Sequence, residues 1–128
     1  MRRPHEQAKP LVFVADAEDD ITAMPREVKR GFGFDLRTVQ QGQTPGGASP
    51  FEGGHANEVM KLSERHDGNT YRCVYAAKLE RAVYVLHVFQ KKSNSGIATP
   101  QKDIDLVYTR LAAAKADHTE RYGKENKT

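Results

Sequence analysis

Apolar residues recur along this chain in two rhythms. One is the two-residue alternation of strands, the other the three-to-four-residue spacing of helices, with glycine- and proline-rich gaps between them. Leu11-Val12-Phe13-Val14 is a short apolar, β-branched run that predicts a first strand. Residues 16–24 are acidic and predict a short helix with Asp16 or Asp19 at its positive end. Pro25 suits the first position of a second helix, whose apolar face would be Val28, Phe32, Leu36 and Val39 and which stops near Gly42. Gly31 and Gly33 weaken that helix and permit close approach of another element.

Residues 41–54 carry five glycines and two prolines and read as a long loop. No Gly-Lys-Ser/Thr follows them, so they do not make a phosphate-binding loop. Three strands are then predicted, at residues 58–63, 70–77 and 82–90. Turns at His66-Asp67-Gly68-Asn69 and Lys78-Leu79-Glu80-Arg81 separate them. The short turns make neighbours antiparallel. The third strand is apolar on both parities, the pattern of a central strand covered on both faces. A last helix starts with Thr99 as N-cap and Pro100 at its first position, and Ile104, Val107, Tyr108 and Leu111 form its core stripe. Residues 1–9 read as a disordered polar arm, 10–117 as a single domain and 118–128 as a frayed tail. The order β-α-α-β-β-β-α implies a two-layer α+β domain with helices packed on an antiparallel sheet.

Composition narrows the classes. The 128 residues suffice for one core, and the net charge of +3 permits a nucleic-acid partner without requiring one. A single cysteine, Cys73, rules out an intrachain disulfide and fits a reducing cytoplasm. The five histidines show no ligand spacing, so no metal is expected. The apolar run at residues 11–15 is too short for a signal core or a membrane span, and the expected location is cytoplasmic.

Candidate chemistry sits near the two later strands. Arg72 interrupts an otherwise apolar strand, and Lys91 and Lys92 close the next. Strands hold side chains more rigidly than loops, and fixed cations are what phosphate binding needs. Ordinary roles compete: Arg72 could pair with Glu58 or Glu64, and the lysines could discourage edge pairing. Adjacent strand residues face opposite sides, so one lysine at most shares a side with Arg72; Lys92 is preferred, with the register undefined. His87 suits either a core position or a general base working near neutral pH. Cys73 must face away from Arg72 and reads as a small buried residue. Tyr71 and Tyr75 read as packing residues, with Tyr75 a candidate for stacking on a base.

Three segments together resemble the RelE/HigB superfamily of bacterial toxins, in particular its phage-derived, HigB-like branch. They are Asp67-Gly68-Asn69-Thr70-Tyr71-Arg72-Cys73-Val74-Tyr75, Tyr84-Val85-Leu86-His87-Val88-Phe89-Gln90-Lys91-Lys92, and Gly96-Ile97-Ala98-Thr99-Pro100 with the helix after it. The element order agrees over about residues 11–115. The resemblance implies a RelE-like fold with two N-terminal helices, a partly mixed antiparallel sheet and a C-terminal helix. It further implies the toxin of a type II toxin–antitoxin system: an endoribonuclease that uses no metal or cofactor and cuts mRNA on the ribosome. Its partner would be a helix-turn-helix antitoxin. In the implied chemistry a ribose 2′-hydroxyl attacks the neighbouring phosphate and leaves a cyclic phosphate, while cations stabilise charge on the phosphoryl oxygens.

Position by position, Arg72 matches the strand arginine of that family and Lys91 and Lys92 its basic pair. Lys61 matches a position where some RelE-type members carry a functional lysine and HigB relatives often a glutamate. The tyrosine that RelE-type members place after the basic pair has no counterpart, since Ser93 to Ala98 stand there. Proton transfer then falls to Lys61 or His87. The rival reading is a non-catalytic module that docks an antitoxin or nucleic acid on the same basic face.

Overall fold

The computed structural model describes residues 8–53, 58–91 and 99–123. The elements are β1 (Leu11–Phe13), α1 (Ala17–Thr22), α2 (Arg26–Gln40), β2 (Ser49–Pro50), β3 (Val59–His66), β4 (Asn69–Ala76), β5 (Val83–Lys91) and α3 (Gln101–Tyr122). They build one five-stranded sheet in the order β1-β5-β4-β3-β2, with β1 parallel to β5 and the other neighbours antiparallel. Asp67 and Gly68 both have positive φ, 51° and 79°, between the paired residues His66 and Asn69. That is the geometry by which Asp-Gly closes a two-residue hairpin, and it sets the β3–β4 register.

The α+β class and the order of the expected elements hold, with two refinements. The glycine-rich stretch contributes β2, whose Ser49 and Pro50 pair with Lys61 and Met60. Proline is tolerated there because β2 is an edge strand. The helices also divide between the two faces. Val28, Phe32 and Leu36 of α2 pack with Leu62, Tyr71, Cys73, Tyr75, Val85 and Val88 on one side. Val107, Leu111 and Ala114 of α3 pack with Val59, Val74, Ala76, Tyr84 and Leu86 on the other. The sheet is thus the middle of three layers rather than one of two, which is why β5 is apolar on both parities.

Helix α3 runs to Tyr122, beyond the expected tail boundary at residue 117. Its last turns are anchored: His118 is buried, its Nε2 accepts the Arg81 backbone N–H at 3.0 Å, and Tyr84 donates to Asp117 at 2.7 Å. The Arg81 guanidinium also lies over the Tyr122 ring. Charge along this segment hid one buried position per turn. Among the described residues, no helix is long and apolar enough to cross a membrane.

The two mid-helix glycines of α2 differ in purpose. A side chain at Gly31 would collide with the Glu64 carboxylate, whereas nothing lies near Gly33. Burial pushes the carboxyls of Asp35 and Glu64 above their ordinary values of 3.8 and 4.5, and the Asp35 charge raises Glu64 further.

Two predictions follow from α2 and its carboxylates. Gly33→Ala stabilises the protein by about 0.5–1 kcal/mol in denaturant unfolding, and Gly31→Ala lacks that full gain. The folded chain holds its protons on Asp35 and Glu64 more tightly than the unfolded chain does. Their contribution is therefore complete below the unfolded values and is lost as pH rises through the raised folded ones. Glu64→Gln should be more stable than wild type at neutral pH and show a flatter stability profile as pH rises above the ordinary carboxyl range.

Candidate functional site

The β3–β4–β5 register decides which cations meet. Arg72 pairs with Ser63 on β3 and Phe89 on β5, Thr70 with Arg65 and Lys91, and Val74 with Lys61 and His87. Directly opposed residues share a face, and alternate residues along one strand do too. Lys61, Ser63, Arg65, Thr70, Arg72, Phe89 and Lys91 therefore occupy one sheet face, the side on which α3 lies. His87 joins them through an irregularity: Val74 pairs with His87 but Tyr75 with Val85, so Leu86 is an extra residue in β5. This bulge turns both Leu86 and His87 toward α3. Leu86 enters the apolar contact with Val107 and Leu111, and its carbonyl accepts from Arg110 Nη1 at 3.0 Å.

Helix α3 covers the end of this face that carries Val59, Val74, Ala76 and Tyr84. At the other end Ser63 and Arg65 are exposed, and Thr70, Arg72, Phe89 and Lys91 are half-buried. Diagonal neighbours on one sheet face lie about 7–8 Å apart, so the long side chains of Lys61, Arg65 and Arg72 can reach one phosphate-sized group.

Arg72 is the central member. Its Nε is buried and has no hydrogen-bond partner among the described residues. Leaving a buried donor unpaired costs about 1–3 kcal/mol, so the position is poor for stability and suited to an incoming acceptor. Neither expected carboxylate partner is there. Glu58 is bonded to Lys115 at 2.6 Å, and Glu64 points to the α2 face, paired across the strands with Tyr71.

Two carboxylates frame the site. Glu52 lies 3.5 Å from Lys61 Nζ and accepts from the Thr99 hydroxyl at 2.8 Å, and its carbonyl accepts from the Tyr108 hydroxyl at 3.0 Å. Burial alone would raise the Glu52 carboxyl. A backbone hydrogen bond, the Thr99 hydroxyl and the Lys61 charge outweigh it and hold the group below its ordinary 4.5. Asp103 of α3 lies 2.9 Å from His87 Nε2. A carboxylate can only accept, so Nε2–H donates and orients the ring. The ring stacks on Phe89 with centroids 4.5 Å apart, and its Nδ1 is buried without a partner among the described residues. Only 7% of His87 is exposed.

Several expectations change. Tyr75 lies on the opposite face from Arg72, buried against α2, with its hydroxyl pushed up to about 12 by burial and by the neighbouring Cys73 and Asp35. Strand alternation places it there, so it cannot stack on a base held by Arg72. Thr99 does not cap α3: Pro100 precedes the first helical residue and the Thr99 hydroxyl is committed to Glu52. The register puts Lys91 on the Arg72 side. Lys92 and the 93–98 stretch lie outside the described residues. Cys73 is fully buried on the α2 face, as alternation from Arg72 requires.

Sequence reasoning missed Arg65, Glu52 and Asp103. Arg65 was legible: it continues the parity of Lys61 and Ser63, but a strand ended at residue 63 excludes it. The carboxylates come from a loop and from α3, and no local pattern links them to the sheet. Among the described residues, no group of three or more His, Cys, Asp or Glu side chains could hold a metal ion.

A mixed five-stranded sheet, helices on both sides and a half-open cluster of cations at one end define a protein with the fold of RelE. The E. coli toxin RelE, solved in the free state as an arginine-to-alanine double mutant, aligns with a TM-score of 0.54 at 18% sequence identity. The match covers 84% of this chain and 97% of that one. The chain belongs to the phage-derived Gp49-like protein family, whose profile matches residues 19–112. The RelE-like fold expected from the strand motifs is thus the one observed. No curated protein matches the chain.

The Glu52–Lys61 pair gives a measurable consequence. Lys61→Met removes a cation that holds Glu52 low, so the Glu52 carboxyl titrates at higher pH in the variant when followed by NMR. Titration at an unchanged pH would show that the Thr99 hydroxyl and the backbone alone hold it.

Proposed function

We propose that this protein is the toxin of a type II toxin–antitoxin pair, an endoribonuclease that cuts mRNA on the ribosome. The reading rests on one observation above all: Lys61, Arg65, Arg72 and Lys91 share a half-open sheet face, with a buried Arg72 Nε at its centre that has no partner among the described residues. In the proposed reaction the 2′-oxygen attacks the adjacent phosphorus and the bond to the 5′-oxygen breaks. A 2′,3′-cyclic phosphate results, and the departing 5′-oxygen takes a proton from water to become a 5′-hydroxyl. No metal takes part. Arg72, Lys61 and Lys91 stabilise the charge that builds on the phosphoryl oxygens, and Lys92 stays a candidate on the family motif alone. His87, oriented by Asp103, has Nδ1 left to take the proton from the 2′-hydroxyl. The partner in this reading is a helix-turn-helix antitoxin, and the compartment is the cytoplasm, where translating ribosomes present the message.

One observation favours the rival reading, a binding module that cuts nothing. Of the candidate proton carriers, His87 is nearly buried and Lys61 is paired with Glu52. Growth after induced expression in antitoxin-free bacteria separates the two. Nuclease action predicts arrest by wild type and new 5′ ends inside translated mRNA. Arg72→Ala lowers cleavage by roughly 10²-fold or more, in the range seen when one preorganised donor is removed. Equal arrest by a folded Lys61→Ala, Arg72→Ala, Lys91→Ala variant would place the activity elsewhere. Normal growth with both proteins would favour the binding module.

A further inference from the structure

Helix α2 presents a second basic surface, on the other side of the sheet from Arg72. Its inner face is spent on Val28, Phe32 and Leu36. On the outer side, Arg26, Arg30 and Arg37 are all exposed, as is Lys29 beside them. At 100° per residue the three arginines and Phe34 fall within an arc of about 80°, along roughly 16 Å of helix. None of the four cations has a carboxylate partner among the described residues. Glu27 stands at the edge of the stripe and belongs to the first helical turn, where it favours the helix dipole.

Phe34 sets this surface apart from an ordinary solvated helix face. It is 72% exposed, and among the described residues it alone is a large exposed hydrophobic side chain. Its neighbour Gly33 carries no side chain, and nothing lies within 4 Å of where one would stand. Glycine there costs helix stability, so the position is flat at a stability cost. Arginine forks match phosphate oxygens in pairs, and an exposed aromatic ring offers a plane on which an unpaired base stacks. A purely acidic polypeptide would use the charges but would leave Phe34 in water.

We infer that the outer face of α2 is a docking surface for folded RNA: Arg26, Arg30 and Arg37 hold the phosphate backbone and Phe34 takes an unpaired base. The surface is separate from the Arg72 face and does not depend on cleavage there. If the proposed nuclease reading holds, it supplies a second attachment to the ribosome, away from the message.

The test uses the full chain and a fluorescein-labelled, 2′-O-methyl RNA hairpin with an unpaired loop. This RNA lacks the attacking hydroxyl, so a protein with no nuclease activity gives the same answer. Binding is followed by anisotropy over a range of salt. The Arg26→Gln, Arg30→Gln, Arg37→Gln variant should bind about tenfold or more weaker near 0.1 M salt. Its log–log salt slope should shrink by about 2–3, one phosphate contact per arginine. Phe34→Ala should weaken hairpin binding about tenfold and leave a blunt duplex of the same stem unaffected. A Lys61→Gln, Arg72→Gln, Lys91→Gln variant should keep the α2-dependent part. All four positions on α2 are exposed, and circular dichroism verifies that the variants remain folded. Unchanged affinity and slope in the α2 arginine variant would overturn the inference. So would α2-dependent binding of polyglutamate in preference to the hairpin, which would mark the face as a protein-docking surface.

Discussion

The pairing of β4 with β5 governs where every functional side chain points. Because strand side chains alternate, a shift of one residue would send Arg72 to the α2 face and bring Cys73 to the half-open one. Two features pin the register. The Asp67-Gly68 turn fixes β4 against β3, and the extra residue at Leu86 lets β5 meet β4 on both sides of the irregularity. Apolar packing on both faces then makes any slip costly, since Val74 and Ala76 would exchange sides with Cys73 and Tyr75.

The same sheet separates two electrostatic environments. On the α2 side Asp35 and Glu64 sit close together in partly buried surroundings that favour their neutral forms. On the α3 side cations gather, and Glu52 is held ionised beside Lys61. Glu52 also joins distant parts of the chain, because its side chain and carbonyl accept from Thr99 and Tyr108. The loop before β3 and the start of α3 are thereby fastened around the cluster. The Lys61 ammonium is paired to this junction while its backbone is held in β3.

Much of this was legible in the sequence, for physical reasons that also mark the limits. The helix and strand periodicities located α2, β4, β5 and the core stripe of α3, because burial on a regular element leaves a regular trace. Arg72 stood out because a charge in an apolar strand is costly without a purpose. What parity alone could not supply was register: whether Lys91 shares a face with Arg72 depends on how β5 is set against β4 around the irregularity at Leu86. Tyr75 was separable from Arg72 by alternation, yet base stacking drew it to the wrong face. Thr99 matched a capping pattern, but a tertiary acceptor, Glu52, competes for its hydroxyl. The last turns of α3 looked solvated because His118 and Tyr122 are scattered among charges and their partners lie near Arg81 and Tyr84.

Cys73 is the chain's sole thiol, fully buried, directly behind the strand position of Arg72 and with its ionisation suppressed by burial. A thiol in that condition is chemically silent while β4 stays in place, and reactive once the strand separates from α2. The molecule therefore carries its own clock. The rate at which a small thiol reagent modifies Cys73 reads how often the strand bearing the central arginine opens, with no label added and no residue of the basic face disturbed.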